Sequence, residues 1–164
     1  MQEIILASGS LRRQELLRQL IGDNFRIVES EFVEDNDLDV LPDQLVKMHA
    51  LGKARDVAKK ISNGIIIGAD VVVYYDNEVL GKPYSDDAAK TMLRMIKGKV
   101  VSIFTGLAVV SASAKEVLQD HQETKVYMAD YTDEEIEAYV STGEPRDKAG
   151  AFAIQGKGAV LVEK

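Results

Sequence analysis

Short polar residues and two arginines follow the first apolar run of the chain, in the order Ser8-Gly9-Ser10-Leu11-Arg12-Arg13. The apolar run predicts a buried strand, and the residues after the turn have the spacing of an amphipathic helix. Such a strand–turn–helix junction binds anions, because it presents free backbone N–H groups and the positive end of the helix dipole. Two guanidinium groups add paired hydrogen bonds to phosphate oxygens. Ser8 and Ser10 add hydroxyl donors and a possible N-cap, and the alternative is an ordinary capped first helix with solvated arginines.

A single carboxylate, Asp70, stands in an apolar segment of isoleucines and valines, directly after Gly68-Ala69. A carboxylate within a buried strand is costly unless it is paired with a cation or holds a metal. The sequence therefore marks Asp70 as a candidate catalytic or metal-binding group. The alternative is an aspartate at a strand end or bulge that bonds backbone N–H groups.

Two glycine-containing segments in the second half of the chain add further candidates. Lys82 lies between Gly81 and Pro83 at the exit from a short strand, where loops often carry binding groups. Gln155 lies in the glycine-rich segment 143–159, and its amide offers both a donor and an acceptor for the edge of a base. The alternatives are a solvated lysine and a purely structural connection.

Strands and helices that must position these residues alternate along the chain, which predicts an α/β fold with a mixed sheet and flanking helices. A turn is predicted at Asp76-Asn77, a tight turn at Ala112-Ser113-Ala114, and a capping box at Thr132 and Glu135. The predicted strands cover residues 3–7, 25–28, 65–74, 78–80, 99–112, 115–128 and 159–162. The predicted helices cover residues 10–21, 42–61 and 85–97, with a last helix that begins after Thr132 and ends before Gly143.

Composition limits the classes of function. A length of 164 residues suits one domain, and the absence of cysteine excludes disulfides and thiolate metal sites. With two histidines, any metal is expected on carboxylates, which suits Mg²⁺ or Mn²⁺. A formal net charge of −7 argues against general nucleic-acid binding. The absence of an apolar span and of a signal pattern predicts no membrane partner and a cytoplasmic protein.

Six separated motifs resemble those of the Maf family, in the family's order and spacing across essentially the whole chain. They are Ser8-Gly9-Ser10-x-Arg12-Arg13, Lys53-Ala54-Arg55, Ile67-Gly68-Ala69-Asp70, Gly81-Lys82-Pro83, Thr105-Gly106 and the segment from Gly143 to Gly156. The resemblance implies the fold of the ITP pyrophosphatases (Maf/Ham-like), with two lobes around a deep cleft, and a single Maf-like domain over residues 1–164. It also implies cleavage of a nucleoside triphosphate between its α- and β-phosphates with a divalent metal.

The resemblance also implies roles for individual residues. Ser8, Arg12 and Arg13 match the phosphate-binding motif, and Lys53 and Lys82 match the lysines that contact phosphate. Asp70 matches the catalytic aspartate, Gln155 a residue near the base, and Glu34 the loop glutamate, for which Glu31 is the second candidate. Glu34 and Asp70 are then the metal ligands, and either Asp70 or the metal activates the attacking water.

The chain departs from the family pattern at Leu11, Val71 and Val101, where proline, threonine and histidine are common. It also ends at Lys164, where relatives continue through a Gly-Leu-Pro-containing segment and a final helix. Gln155 and its context resemble the branch that acts on dTTP and UTP. A 7-methyl-GTP or non-canonical nucleotide pyrophosphatase is the alternative, and a non-catalytic nucleotide-binding regulator of cell division is the alternative of another class. A homodimer is a candidate assembly.

Overall fold

The computed structural model describes residues 2–113 and 116–164. Backbone contacts divide the chain into two compact units, the first formed by Met1–Asp70 with Thr105–Gln122 and the second by Val71–Phe104 with Glu123–Lys164. Residue 114 of the predicted tight turn and residue 115 of the predicted sixth strand lie outside the described residues.

Helices and strands alternate as predicted, within one to three residues at most ends. The strands are β1 (Ile4–Leu6), β2 (Arg26–Ile27), β3 (Ile65–Tyr75), β4 (Glu78–Leu80), β5 (Val100–Ser111) and β6 (Val117–Tyr127). The α-helices are α1 (Leu11–Ile21), α2 (Pro42–Ala58), α3 (Asp86–Ile96) and α4 (Asp133–Ser141), and 3-10 turns cover Glu144–Asp147, Ala149–Ala151 and Lys157–Leu161. In the described parts of the chain, no helix combines the length and apolar character needed to cross a membrane.

The sheet is mixed, which confirms the predicted class. Its strand order is β2-β1-β3-β5-β6, with β4 paired to β3. Strand β1 is parallel to both β2 and β3, whereas β3 and β4 are antiparallel. The turn between β3 and β4 places Asp76 and Asn77 at φ of 51° and 64°, a conformation that short polar side chains tolerate and that fits a tight hairpin.

In the first unit, α2 packs directly against one face of β3 and β5. Small side chains allow this approach, since Ala50 and Ala54 are fully buried and a Cβ at Gly68 would meet their backbone. Gly106 on β5 would likewise meet the backbone of Val46. Because side chains alternate along a strand, Asp70 points to the same face of β3 as Gly68 and therefore toward α2.

In the second unit, α3 and α4 share a core with the distal parts of β3 and β5. Thr132 accepts a hydrogen bond from the Glu135 amide while the Glu135 carboxylate accepts from the Thr132 amide, so the predicted capping box is confirmed. The predicted strand at 159–162 is wrong, since this segment is the 3-10 turn Lys157–Leu161, and Val162 pairs with Met128 in an isolated bridge. Directly before the predicted strand, the amides of Lys157 and Gly158 donate to the carboxylate of Glu144 rather than to a neighbouring strand.

Candidate active site

The β1–α1 turn forms the basic side of the candidate site. Ser8 is buried, and its Oγ accepts hydrogen bonds from Arg13 Nη1 at 3.2 Å and from the Ser10 amide at 3.3 Å. Ser10 occupies the N-cap position of α1, but its side chain makes no capping bond, so the predicted role of its hydroxyl is wrong. The Ser8 hydroxyl instead orders the turn from within. Arg12 is exposed, and Arg13 is half-buried.

Arg13 is held in an electrically negative environment. Burial lowers the pKa of its guanidinium from the ordinary value, while the charges of Asp70 and Glu34 oppose that change. An arginine remains charged under these conditions. The first unit therefore brings together a cation from the β1–α1 turn and the two carboxylates predicted from the sequence.

Lys53 joins those two carboxylates. Its Nζ lies 2.7 Å from Asp70 Oδ1 and 2.5 Å from Glu34 Oε1, and it also donates to the carbonyl of Ala69 at 3.4 Å. Lys53 and Asp70 are both more than nine-tenths buried, whereas about a third of the Glu34 side chain is exposed. The alternative of an aspartate bonded to backbone N–H groups is therefore wrong for Asp70, which instead pairs with side chains of α2.

Glu34 is the loop glutamate that reaches this cluster. Glu31, the second candidate for that position, pairs instead with Lys60 at 2.8 Å on the exposed side of the segment. The contact with Lys53 therefore favours Glu34 over Glu31 as the loop glutamate.

His49 is the member of the cluster that the sequence reasoning missed. Its Nδ1 lies 3.0 Å from Asp70 Oδ2, and its side chain is 2 % exposed. The hydrogen bond to the Asp70 carboxylate raises the pKa of His49 despite burial. A usable signal was present, because His49 and Lys53 are four residues apart on a predicted helix and therefore lie on the same face.

The contacts of Asp70 keep it ionised. Burial alone raises the pKa of a carboxyl, but the hydrogen bond from His49 and the charge of Lys53 outweigh burial and hold the pKa of Asp70 below its usual range. Asp70 is therefore an anion at neutral pH with both of its oxygens engaged.

A group able to bind a metal ion is present in the first unit. Glu34, His49 and Asp70 each offer a ligand atom, and these atoms lie within 4.8 Å of one another. Carboxylate oxygens suit hard divalent cations. The two oxygens that contact Lys53, one from Glu34 and one from Asp70, each keep a second lone pair for such a cation. Both nitrogens of His49 already contact protein atoms, so the donors that fit a cation without rearrangement are the two carboxylates.

Lys82 and Gln155 lie in the second unit, and both are exposed. Lys82 follows β4 in a segment anchored by a 3.0 Å hydrogen bond from the Gly150 amide to the Gly81 carbonyl. Gln155 precedes Gly156, whose φ of 110° is a conformation that glycine adopts readily and other residues avoid.

Comparisons with known proteins show what this chain is similar to. The profile of the family described as Maf-like protein matches residues 3–164. A dTTP/UTP pyrophosphatase of Methanosarcina mazei is 52% identical over 164 residues, which are 100% of this chain and 83% of the relative. Proteins of the same name from Methanosarcina barkeri and Dictyoglomus thermophilum are 47% and 46% identical, over 100% and 99% of this chain and 83% and 84% of their own length.

Solved structures support the fold. A HAM1 protein from Coxiella burnetii superposes with a TM-score of 0.57 at 18% identity, covering 80% of this chain and 75% of its own. The Ham1 protein of Staphylococcus aureus gives a TM-score of 0.56 at 14% identity, covering 79% and 73%. The implied likeness to the Maf/Ham fold is confirmed at the level of the fold. Because the profile spans nearly the whole chain and full-length relatives share up to 52% of its residues, the chain belongs to the Maf-like protein family.

Proposed function

We propose that this chain hydrolyses dTTP and UTP between the α- and β-phosphates, which gives the nucleoside monophosphate and pyrophosphate. The observation that carries the proposal is the buried Lys53–Asp70 pair, with Glu34 bound to Lys53 and with Ser8 and Arg13 beside it. The relatives named dTTP/UTP pyrophosphatase, at 42–52% identity, support the choice of substrate. The proposal treats residues 1–164 as one Maf-like domain with one activity.

In the proposed reaction, the oxygen of a water molecule attacks the α-phosphorus and pyrophosphate leaves with the bridging oxygen. Four cations balance the charge of the triphosphate: Arg12, Arg13, Lys53 and Lys82. Enzymes of phosphoryl transfer obtain most of their rate from such electrostatic stabilisation. Ser8 holds Arg13 in position for this purpose. Lys82 is included among these cations because it lies in the motif Gly81-Lys82-Pro83 that resembles the family's.

Glu34 and Asp70 would hold a divalent cation, Mg²⁺ or Mn²⁺. Such a cation polarises phosphoryl oxygens and lowers the pKa of bound water. The lowered pKa of Asp70 makes it a weak proton acceptor, so we assign it first to binding charge rather than to general-base catalysis. The net charge of −7 is compatible with a small anionic substrate, because a local group of cations suffices to bind it. A nucleotide-pool substrate also places the protein in the cytoplasm.

A panel of nucleoside triphosphates tests the proposal. Purified protein is incubated with dTTP, UTP, CTP, GTP, ITP and 7-methyl-GTP, with Mg²⁺, with Mn²⁺ or with EDTA, and pyrophosphate and orthophosphate release are scored separately. We expect pyrophosphate from dTTP and UTP with either metal and none with EDTA. Orthophosphate as the first product would contradict the cleavage position. Binding of nucleotide without turnover would favour the regulatory alternative.

A further inference from the structure

We propose that His49 is a positioning residue of this site: its imidazole fixes the carboxylate of Asp70 and ties to it the segment that carries Glu34. The inference rests on the proposed function, because it assigns His49 to the catalytic arrangement rather than to the core alone. It differs from a ligand role, since no atom of His49 is assigned to substrate or metal.

The first contact fixes Asp70. His49 Nδ1 lies 3.0 Å from Asp70 Oδ2, and because an ionised carboxylate can only accept, Nδ1 carries the proton of this bond. Lys53 holds the other oxygen, Oδ1, at 2.7 Å. With its two oxygens held by different partners, the carboxylate cannot rotate without breaking a hydrogen bond. Both residues are buried, so water does not replace the lost bond.

The second contact fixes the neighbour of Glu34. His49 Nε2 lies 3.1 Å from the carbonyl oxygen of Asp35 and 3.3 Å from its amide nitrogen. The backbone of Asp35 can therefore donate to a neutral ring or accept from a protonated one. Residues 28–41 contain no helix or strand, so side-chain contacts hold this segment in place. The contact of His49 with Asp35 acts there together with the bonds from Ser30 and Glu31 to Asp56.

Packing keeps the ring in place between these two contacts. The ring of Phe32, from the same segment, lies 6.0 Å from the ring of His49 between centroids. Gly52 permits that position, because a Cβ at Gly52 would meet the Phe32 ring. His49 thus bridges two segments distant in sequence, the middle of β3 and the loop before α2.

Two amide substitutions separate the contacts. The amide of His49→Asn lies where Nδ1 is and can donate to Asp70, but it is too short to reach Asp35. The amide of His49→Gln extends to the position of Nε2 and can meet Asp35, but it does not reproduce the bond to Asp70. His49→Leu removes both, and His121→Gln, at the exposed histidine of β6, is the matched control.

We expect kcat for dTTP to fall ~10–100-fold in His49→Gln and His49→Leu, the range seen when a residue that orients a ligand is removed, with KM changed less than about threefold. His49→Asn, which keeps the bond to Asp70 and loses only the contact with Asp35, should lose less kcat than either of the others, about threefold to tenfold. Hydrogen–deuterium exchange over residues 29–41 should show the opposite order, faster in His49→Asn and His49→Leu than in His49→Gln. His121→Gln should change neither quantity.

Thermal unfolding of each variant separates positioning from stability alone. If activity per folded molecule is the same in all three His49 variants, or if Asn and Gln lose kcat equally, His49 only packs the core and the inference is wrong. Failure of the proposed function is distinguishable, because unchanged protein would then release no pyrophosphate. The exchange experiment and Mn²⁺ affinity, measured without nucleotide by electron paramagnetic resonance, would still test the contacts, with weaker Mn²⁺ binding expected in His49→Gln than in His49→Asn.

Discussion

Lys53 and Asp70 form a buried ion pair in which Lys53 Nζ lies 2.7 Å from Asp70 Oδ1. The pair joins the middle of α2 to β3 at the place where glycine and alanine let the two elements approach closely. A pair of this kind contributes little net stability, because the cost of removing both charges from water offsets their attraction. The pair instead fixes positions, because it holds one anion and one cation at a constant separation.

Asp70→Asn should keep the fold and part of the nucleotide affinity but lower turnover at least ~100-fold, the usual loss when a charge-stabilising or acid–base group is removed. The amide still fits between His49 and Lys53, but it no longer carries the negative charge. Turnover of dTTP, nucleotide binding by calorimetry and the melting temperature Tm are measured on the same preparation. Unchanged kcat in folded Asp70→Asn would contradict the assignment.

Lys53→Met should destabilise the protein and abolish activity, because Asp70 and Glu34 then face each other without their shared cation. Removal of one partner of a buried pair costs about 3–5 kcal/mol, and part of this cost should return in the double variant Lys53→Met/Glu34→Gln. Denaturant unfolding of the single and double variants gives the coupling. Lys60→Met, which removes an exposed pair with Glu31, is the control and should shift the unfolding midpoint much less.

Arg13→Ala should lower kcat/KM for dTTP about 100-fold while changing Tm only slightly. Its guanidinium is half-buried against Ser8 and feels the charges of both carboxylates, so no other arginine of α1 replaces it. Arg18→Ala is the matched control, because Arg18 lies on the same helix and pairs with Asp23 at the surface. Equal effects of the two substitutions on kcat/KM would indicate that the turn is only an ordinary helix start.

Much of this arrangement was predictable because local rules act on neighbouring residues. Thr132 and Glu135 satisfy each other's backbone, and Asp76-Asn77 tolerate positive φ, so both features follow from short segments of sequence. Asp70 could be singled out because a lone carboxylate in an apolar strand requires a partner. These predictions needed no knowledge of what packs against each segment.

The features of the fold and of the site that the sequence did not predict depend on contacts between side chains and backbone brought together by folding. His49 has no local signal beyond its spacing from Lys53, since its partners lie 14 and 21 residues away in sequence. The strand predicted at 159–162 is absent, and Glu144, distant in sequence, accepts from the amides of Lys157 and Gly158 directly before it. The Ser10 side chain makes no capping bond, and the Ser10 amide donates to the Ser8 hydroxyl.

Glu144 should make stability depend on acid pH. Its carboxylate accepts from the amides of Lys157 and Gly158 and from the Tyr139 hydroxyl, and these bonds outweigh burial and lower the pKa of Glu144. A carboxyl whose pKa is lower in the folded state stabilises the protein above its unfolded pKa, and this stability is lost as pH falls through the folded value. We expect Glu144→Gln to lower Tm at pH 7, and the difference from unchanged protein to shrink below about pH 4.5. A difference that stays constant from pH 7 to pH 3 would contradict this account.

Gln155→Leu should alter the choice of base rather than the chemistry of hydrolysis. The amide can pair with one donor and one acceptor, and dTTP and UTP share the carbonyl–imide edge that such a group matches. Each bond lost with these nucleotides should cost roughly 1–3 kcal/mol in kcat/KM, whereas nucleotides that the enzyme already handles poorly should lose little.

Val71 offers no hydroxyl where relatives commonly have threonine, so we expect unchanged protein to accept a broader set of bases. The measurement is kcat/KM for dTTP, UTP, CTP, ITP and 7-methyl-GTP with unchanged protein, Gln155→Leu and the exposed control Gln19→Leu. A uniform loss across all five nucleotides would assign Gln155 to structure, and a higher kcat/KM for 7-methyl-GTP or ITP than for UTP in unchanged protein would overturn the pyrimidine preference while leaving pyrophosphate release intact.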